Sequence, residues 1–211
     1  MLKVLLEQSC QAYAQEKNYW LDILKSWKYQ AKLKLPRQIR DEAMKSHYQP
    51  KYGLQGRQWK LALQDAAETW DKYLQALFVE VRKKISRHIQ EEEARHYAFW
   101  LLKGYEQFSA CMQGQSPTPP FSIEMKVQHQ IASYVERTVR KLRGNFPVVK
   151  KKNSIKLDAN CYKVFDHKGK QYIKVMSLQK GKRITLSLLG RSHIQGNISL
   201  HCVPPVSLRE F

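Results

Sequence analysis

Few residues in this sequence have the types and spacing that making or breaking bonds requires. Glu93-Ala94-Arg95-His96 fits E-x-x-H, which sets a carboxylate and an imidazole on one helix face. A di-iron bundle needs two such motifs and two further carboxylates, and no second copy is present. His193, His201, Cys161 and Cys202 carry donor atoms, but their spacing matches no zinc pattern. Cys10, Cys111, Cys161 and Cys202 are the four cysteines and form no C-x-x-C pair, so a disulfide framework or zinc ribbon is not expected and a reducing cytoplasm is. Serine nucleophile elbows are missing, and Gly181-Lys182 lacks the upstream glycine of a phosphate-cradling loop. A metal-dependent nuclease gathers at least two carboxylates around its ions. Beyond residue 149 only Asp158, Asp166 and Glu210 are acidic. The expectation is a protein that binds without cutting: no catalytic residue, no metal site and no cofactor.

What the chain has in quantity is positive charge. Lys and Arg number 37 against 18 Asp and Glu in 211 residues, a formal net charge of +19. Thirteen of those cations and three of the acids fall after residue 149, so the C-terminal part is the more strongly basic. Such a surplus repels itself unless a polyanion shares the surface, and nucleic acid is the polyanion expected. There is no run of about 18 apolar residues, so no membrane span is expected. Met1 to Leu6 meets Glu7 too early for a signal peptide.

The cations must be positioned by the elements around them. Leu6, Cys10, Tyr13, Trp20, Leu24 and Trp27 predict a first helix from Leu2 to Lys28 with one apolar stripe. Trp20 and Trp27 read as core rather than as base-stacking groups. Pro36 suits the first turn of a second helix, Arg37 to His47. Gln49 to Gly56 is a turn region. The third helix, Gly56 to Gln90, carries Trp59, Leu63, Ala66, Trp70, Leu74, Leu77, Val81 and Ile85 at helical steps. Arg82, Lys83, Lys84, Arg87 and His88 crowd its end, more cations than a helix dipole calls for, so a phosphate-facing end is expected alongside the capping role. A fourth helix is expected from Glu91 to Met112, and an extended loop over Ser109 to Phe121. Ser122 is expected to cap a fifth helix, Ile123 to Arg143, which ends on Arg137, Arg140, Lys141 and Arg143 with Gly144 as its stop.

From Asn153 the period changes to two. Strands are expected at Ser154–Leu157, Cys161–Phe165, Gln171–Leu178, Arg183–Leu189 and Asn197–Val203. Asp166-His167-Lys168-Gly169 and Gln179-Lys180-Gly181-Lys182 read as tight, lysine-rich turns. The fold class expected is α+β: a helical bundle of about five helices over residues 1–147, then a small basic antiparallel β-barrel of oligonucleotide-binding type over residues 148–211.

The order of these parts resembles a known family. Asn18-Tyr19-Trp20-Leu21-Asp22-Ile23-Leu24 comes first, and Tyr52-Gly53-Leu54-Gln55-Gly56-Arg57-Gln58 then introduces the long helix. Ser154-Ile155-Lys156-Leu157-Asp158, Tyr172-Ile173-Lys174-Val175, Lys180 to Leu186 and Gly196-Asn197-Ile198 follow. The pattern resembles the N-terminal half of TnpB-like transposon-encoded RNA-guided nucleases, relatives of type V CRISPR effectors. The resemblance implies a recognition lobe that grips a guide RNA–target DNA heteroduplex and a wedge barrel that grips the RNA scaffold. In such a complex an A-form heteroduplex is held by shape and phosphates rather than by base sequence.

On that resemblance Lys150, Lys151, Lys152, Lys156, Lys168, Lys170, Lys180, Lys182 and Arg183 are expected to bind guide RNA. Arg82, Lys83, Lys84, Arg87, Arg137, Arg140, Lys141 and Arg143 are expected to line the heteroduplex. Tyr52, Gln55, Arg57 and Gln58 are expected at target DNA near a flanking motif. The family's RuvC-like nuclease domain would follow the barrel and a further barrel strand would open the chain; neither has a counterpart in this sequence. A separate RuvC-like chain, or nucleic acid, is expected to complete the complex and cover the open barrel edge. The rival expectation is a stand-alone nucleic-acid-binding regulator that uses no guide.

Overall fold

The architecture is α+β: six helices precede a small region of antiparallel strands. It comes from a computed structural model that describes residues 2–25, 35–150, 154–188 and 194–201. The helices are α1 (Leu2–Leu24), α2 (Leu35–Lys45), α3 (Gly56–His88), α4 (Glu92–Leu101), α5 (Tyr105–Met112) and α6 (Met125–Leu142). The strands are β1 (Ser154–Leu157), β2 (Tyr162–His167), β3 (Lys170–Met176), β4 (Arg183–Ser187) and β5 (Ile198–His201). Trp27 lies outside the described residues.

Contacts group the chain into two units that interleave along the sequence. The first takes Met1–Trp20, Ala43–Ala66 and Val148–Phe211; the second takes Leu21–Glu42 and Ala67–Pro147. The strands share their unit with helical segments from far upstream. α1 and α3 each supply residues to both units.

In the first unit the strands form two sheets. β1 pairs antiparallel with β5, and β2, β3 and β4 form an antiparallel meander. No pairing among the described residues closes them into a ring. Tyr162 Oη donates to Gly196 O at 2.9 Å, which ties β2 to the segment before β5. The β2–β3 turn is tighter than the sequence suggested. Asp166 pairs with Gln171 and His167 with Lys170, so only Lys168 and Gly169 turn the chain. Both have positive φ, 48° and 73°, the twist that a two-residue hairpin requires.

Helical residues supply the rest of this unit's core. Trp20 and Trp59 lie 5.8 Å apart, and Tyr48 packs on them at 5.0 and 5.3 Å. Trp20 is 3% and Trp59 4% exposed, so both indoles are packing groups, as their spacing suggested. Tyr48 Oη donates to Glu16 Oε1 at 2.6 Å, and burial raises the pKa of that carboxyl above its ordinary value. From the strands come Ile155, Leu157, Ile173, Val175 and Ile184, and from the turn before β2 Cys161, all buried.

The second unit is helical. Its core holds Trp70, Leu74, Leu77, Val81 and Ile85 of α3 with Tyr97, Leu101, Phe108, Val135 and Val139 from the later helices. The expected fourth helix is two helices, α4 and α5, so the described residues hold six rather than five. Gly104 makes the break: its backbone is extended (φ −118°, ψ 143°) and its carbonyl starts α5. Ser109, expected in the loop, is fully buried within α5. The loop proper is pinned rather than free. Tyr97 Oη donates to Pro117 O at 2.8 Å, and Phe121 stacks on His96 at 4.4 Å. Ser122 does not cap α6; Glu124 holds that position without a side-chain bond. Gly144 follows the C-cap Arg143 with φ 55°, the stop expected of it.

Candidate nucleic-acid interface

Two runs of cations far apart in sequence meet in the helical unit. Tyr73 of α3 donates to Arg143 O at 2.7 Å, and Lys84 and His88, further along α3, sit beside Tyr134, Arg137, Thr138 and Lys141 of α6. Between α3 and α6 is a cavity of about 420 Å³, lined by Lys84, His88, Tyr134, Arg137, Thr138, Lys141 and Leu142. Residues 84 and 88 are one turn apart on α3. Tyr134, Arg137, Thr138 and Lys141 recur at three- and four-residue steps on α6, so each helix presents one stripe to the cavity.

The cations differ in what they already do. Lys84, Arg87 and Lys141 are exposed and make no ion pair among the described residues. Arg82 is likewise exposed and unpaired among them. Arg137 Nε donates to Ser133 O at 3.2 Å and leaves its other donors outward. By contrast Lys83 pairs with Glu80 at 2.7 Å, and Arg140 with Glu136 at 2.8 Å and with Met112 O at 3.1 Å. Arg143 is half-buried, with its guanidinium 5.3 Å from the Phe146 ring. A helix dipole acts within the last turn, which accounts for Arg87 and His88 but not for Lys84. His88, part of the basic run at the end of α3, lines the cavity too, as do Tyr134 and Thr138, which were not singled out in the sequence as site residues. Their signal was helical spacing from Arg137 and Lys141.

In the strand unit, Lys168 is at the tip of the β2–β3 hairpin and Lys170 starts β3, both exposed. Lys180 and Lys182 flank Gly181, whose φ is 78°, and Arg183 opens β4; all three cations are exposed. Lys150 is exposed, and Lys151 and Lys152 lie outside the described residues. Lys156 is already engaged: its ammonium is 2.7 Å from Asp65, which also holds Lys17 at 2.9 Å.

In the segment expected at the flanking DNA motif, three of the four residues bond to the strand region. Gln58 is fully buried; it accepts from Gln55 N at 3.0 Å and donates to Met176 O at 3.3 Å. Gln55 donates to Ser177 O and Gln179 O. Arg57 donates from Nε to Asp158 Oδ2 at 2.6 Å. These three residues fasten the start of α3 to the strands, and of the four only Tyr52 is exposed without such a bond.

Asp158 is buried, which raises its pKa, but hydrogen bonds from Arg57 and Cys161 outweigh burial and hold the carboxyl below its ordinary value. The Cys161 thiol is pushed up to about 11 by burial and by the Asp158 carboxylate. A depressed carboxyl stabilises the fold above its unfolded pKa, and that contribution disappears as pH falls through the folded value. Arg57→Ala is expected to cost about 1–3 kcal/mol at pH 7 by leaving a buried acceptor short of its partner. Urea unfolding should show the gap from the parent chain narrowing below about pH 4, where the unfolded carboxyl takes its proton.

Glu93 and His96 are exposed on α4, and His96 is committed to Phe121. His201 is exposed on β5, Cys161 is buried, and His193 and Cys202 lie outside the described residues. Among the described residues no three His, Cys, Asp or Glu side chains gather where they could hold a metal ion, and no helix is long and apolar enough to cross a membrane. Comparison with protein-family models, curated proteins and solved structures found no match for this chain.

Proposed function

We propose that the chain is the guide-RNA- and target-DNA-binding part of a TnpB-like, type V-like RNA-guided DNA-targeting complex in the cytoplasm. It is non-catalytic by itself and works with a separate RuvC-like chain. One observation carries the reading: Lys84 of α3 and Arg137 and Lys141 of α6, cations far apart in sequence, converge on one cavity. Cations so placed hold phosphates by shape and charge, as an A-form heteroduplex requires. The exposed lysines of the two strand turns supply a second cationic surface for the RNA scaffold. In this reading the strands belong to a wedge barrel of oligonucleotide-binding type, closed by a partner. Gln55, Arg57 and Gln58 are left out of the DNA-contacting set because their polar groups already hold the strands.

The protein is purified from cells and its bound RNA sequenced. One abundant structured transcript is expected. A mixture without a dominant species, or DNA alone, supports the stand-alone regulator instead. Absence of any bound nucleic acid overturns both.

A further inference from the structure

The open face of the β2–β3–β4 sheet has a composition that neither packing nor solubility requires. Register places Lys163 and Phe165 of β2, Tyr172 and Lys174 of β3, and Thr185 and Ser187 of β4 on one side. The other side carries Ile173, Val175 and Ile184, each no more than 2% exposed, so the first side is the outer one. Phe165 and Tyr172 are direct cross-strand partners, stacked with centroids 5.5 Å apart and planes 21° apart. Lys174 Nζ lies 4.9 Å from the Phe165 centroid. Lys163 and Lys174 are also direct partners and both are exposed. Like charges directly opposite destabilise a sheet unless something anionic lies over them.

We infer that this face binds an unpaired stretch of RNA, with bases stacking on the Phe165–Tyr172 pair and phosphates held by Lys163 and Lys174. Half-exposed aromatics amid cations on a sheet face suit single strands, because every base has a π-face and an unpaired base is free to leave its own stack. A duplex would use the lysines and leave the rings idle. The Thr185 and Ser187 hydroxyls, opposite Lys174 and Tyr172, give hydrogen-bond partners for a ribose 2′-hydroxyl, which selects RNA over DNA. The inference rests on the RNA-binding part of the proposed function and names the region of this chain that takes the unpaired part of that RNA.

The intact chain is titrated with a labelled oligo(U) RNA, the matching oligo(dT), and a blunt RNA–DNA heteroduplex. Phe165→Leu with Tyr172→Leu is expected to weaken oligo(U) about tenfold or more, leave its salt dependence unchanged and spare the heteroduplex. Lys163→Gln with Lys174→Gln, which keeps the rings, is expected to lower the salt slope for oligo(U) by about 1–1.5. Circular dichroism checks that each variant folds, and if the leucine pair does not, the glutamine pair decides. Oligo(U) binding that is unchanged in folded variants overturns the inference, as does oligo(dT) binding as tightly as oligo(U). Oligo(U) binding through this face with no heteroduplex binding by the parent chain supports the inference and removes the complex proposed above.

Discussion

A chain carrying Lys84→Ala, Arg137→Ala and Lys141→Ala should bind an RNA–DNA heteroduplex about 100-fold more weakly at physiological salt, because three phosphate contacts are lost at once. The slope of log affinity against log salt should fall by about 2–3 in the same experiment, since each contact releases somewhat less than one counterion. Neither expectation depends on damage to the fold. All three side chains are exposed, and Lys84 and Lys141 are unpaired among the described residues. Lys83→Ala with Arg140→Ala is the control. Those cations already have Glu80 and Glu136 as partners, so removing them should cost the heteroduplex far less. Equal losses in the two variants would show that net charge alone, not the cavity, drives binding.

Trp59→Ala should produce the largest loss of stability of any single change considered, about 3–5 kcal/mol. That is a large part of the total for a domain of this size, about 5–15 kcal/mol. The indole is 4% exposed and sits against Trp20 and Tyr48, so its removal leaves a void that those two side chains cannot close. Urea unfolding followed by circular dichroism measures the effect. Had the indole been a base-stacking group, the same change would lower nucleic-acid affinity and leave the unfolding midpoint nearly alone.

What could be read from the sequence was what local periodicity and local chemistry determine. The α3 stripe from Trp59 to Ile85 is a single 3.6-residue repeat, and every member is buried. Gly144 stops α6 because a glycine after a run of basic residues is a local signal. Strand positions came from alternation; β1 has the expected ends, and the ends of the others shift by two residues at most. The break at Gly104 was missed because apolar residues continue on both sides of it, at Leu101 and Phe108, and hide the change of direction. The two-residue turn at Lys168-Gly169 was read one residue pair too wide, since Asp166 has turn chemistry but pairs with Gln171.

The role of Gln55, Arg57 and Gln58 was out of reach for a different reason. Polar residues at a helix start look like surface, and their partners Ser177, Asp158 and Met176 are more than 100 residues away in sequence. The pairing of β1 with β5, Ser154 opposite His201, is non-local in the same way. The cavity between α3 and α6 was half legible. Both basic runs stood out as runs, but nothing in either announces that the other faces it.

The proposed function requires cationic surfaces that hold polynucleotide phosphates. Its most direct test is the equilibrium affinity of the purified, nucleic-acid-free chain for a structured RNA and for an RNA–DNA heteroduplex across a salt series. Binding of both is predicted, weakening as salt rises with a log–log slope of about −4 or steeper. Failure to bind either at low salt, or affinity indifferent to salt, would contradict it.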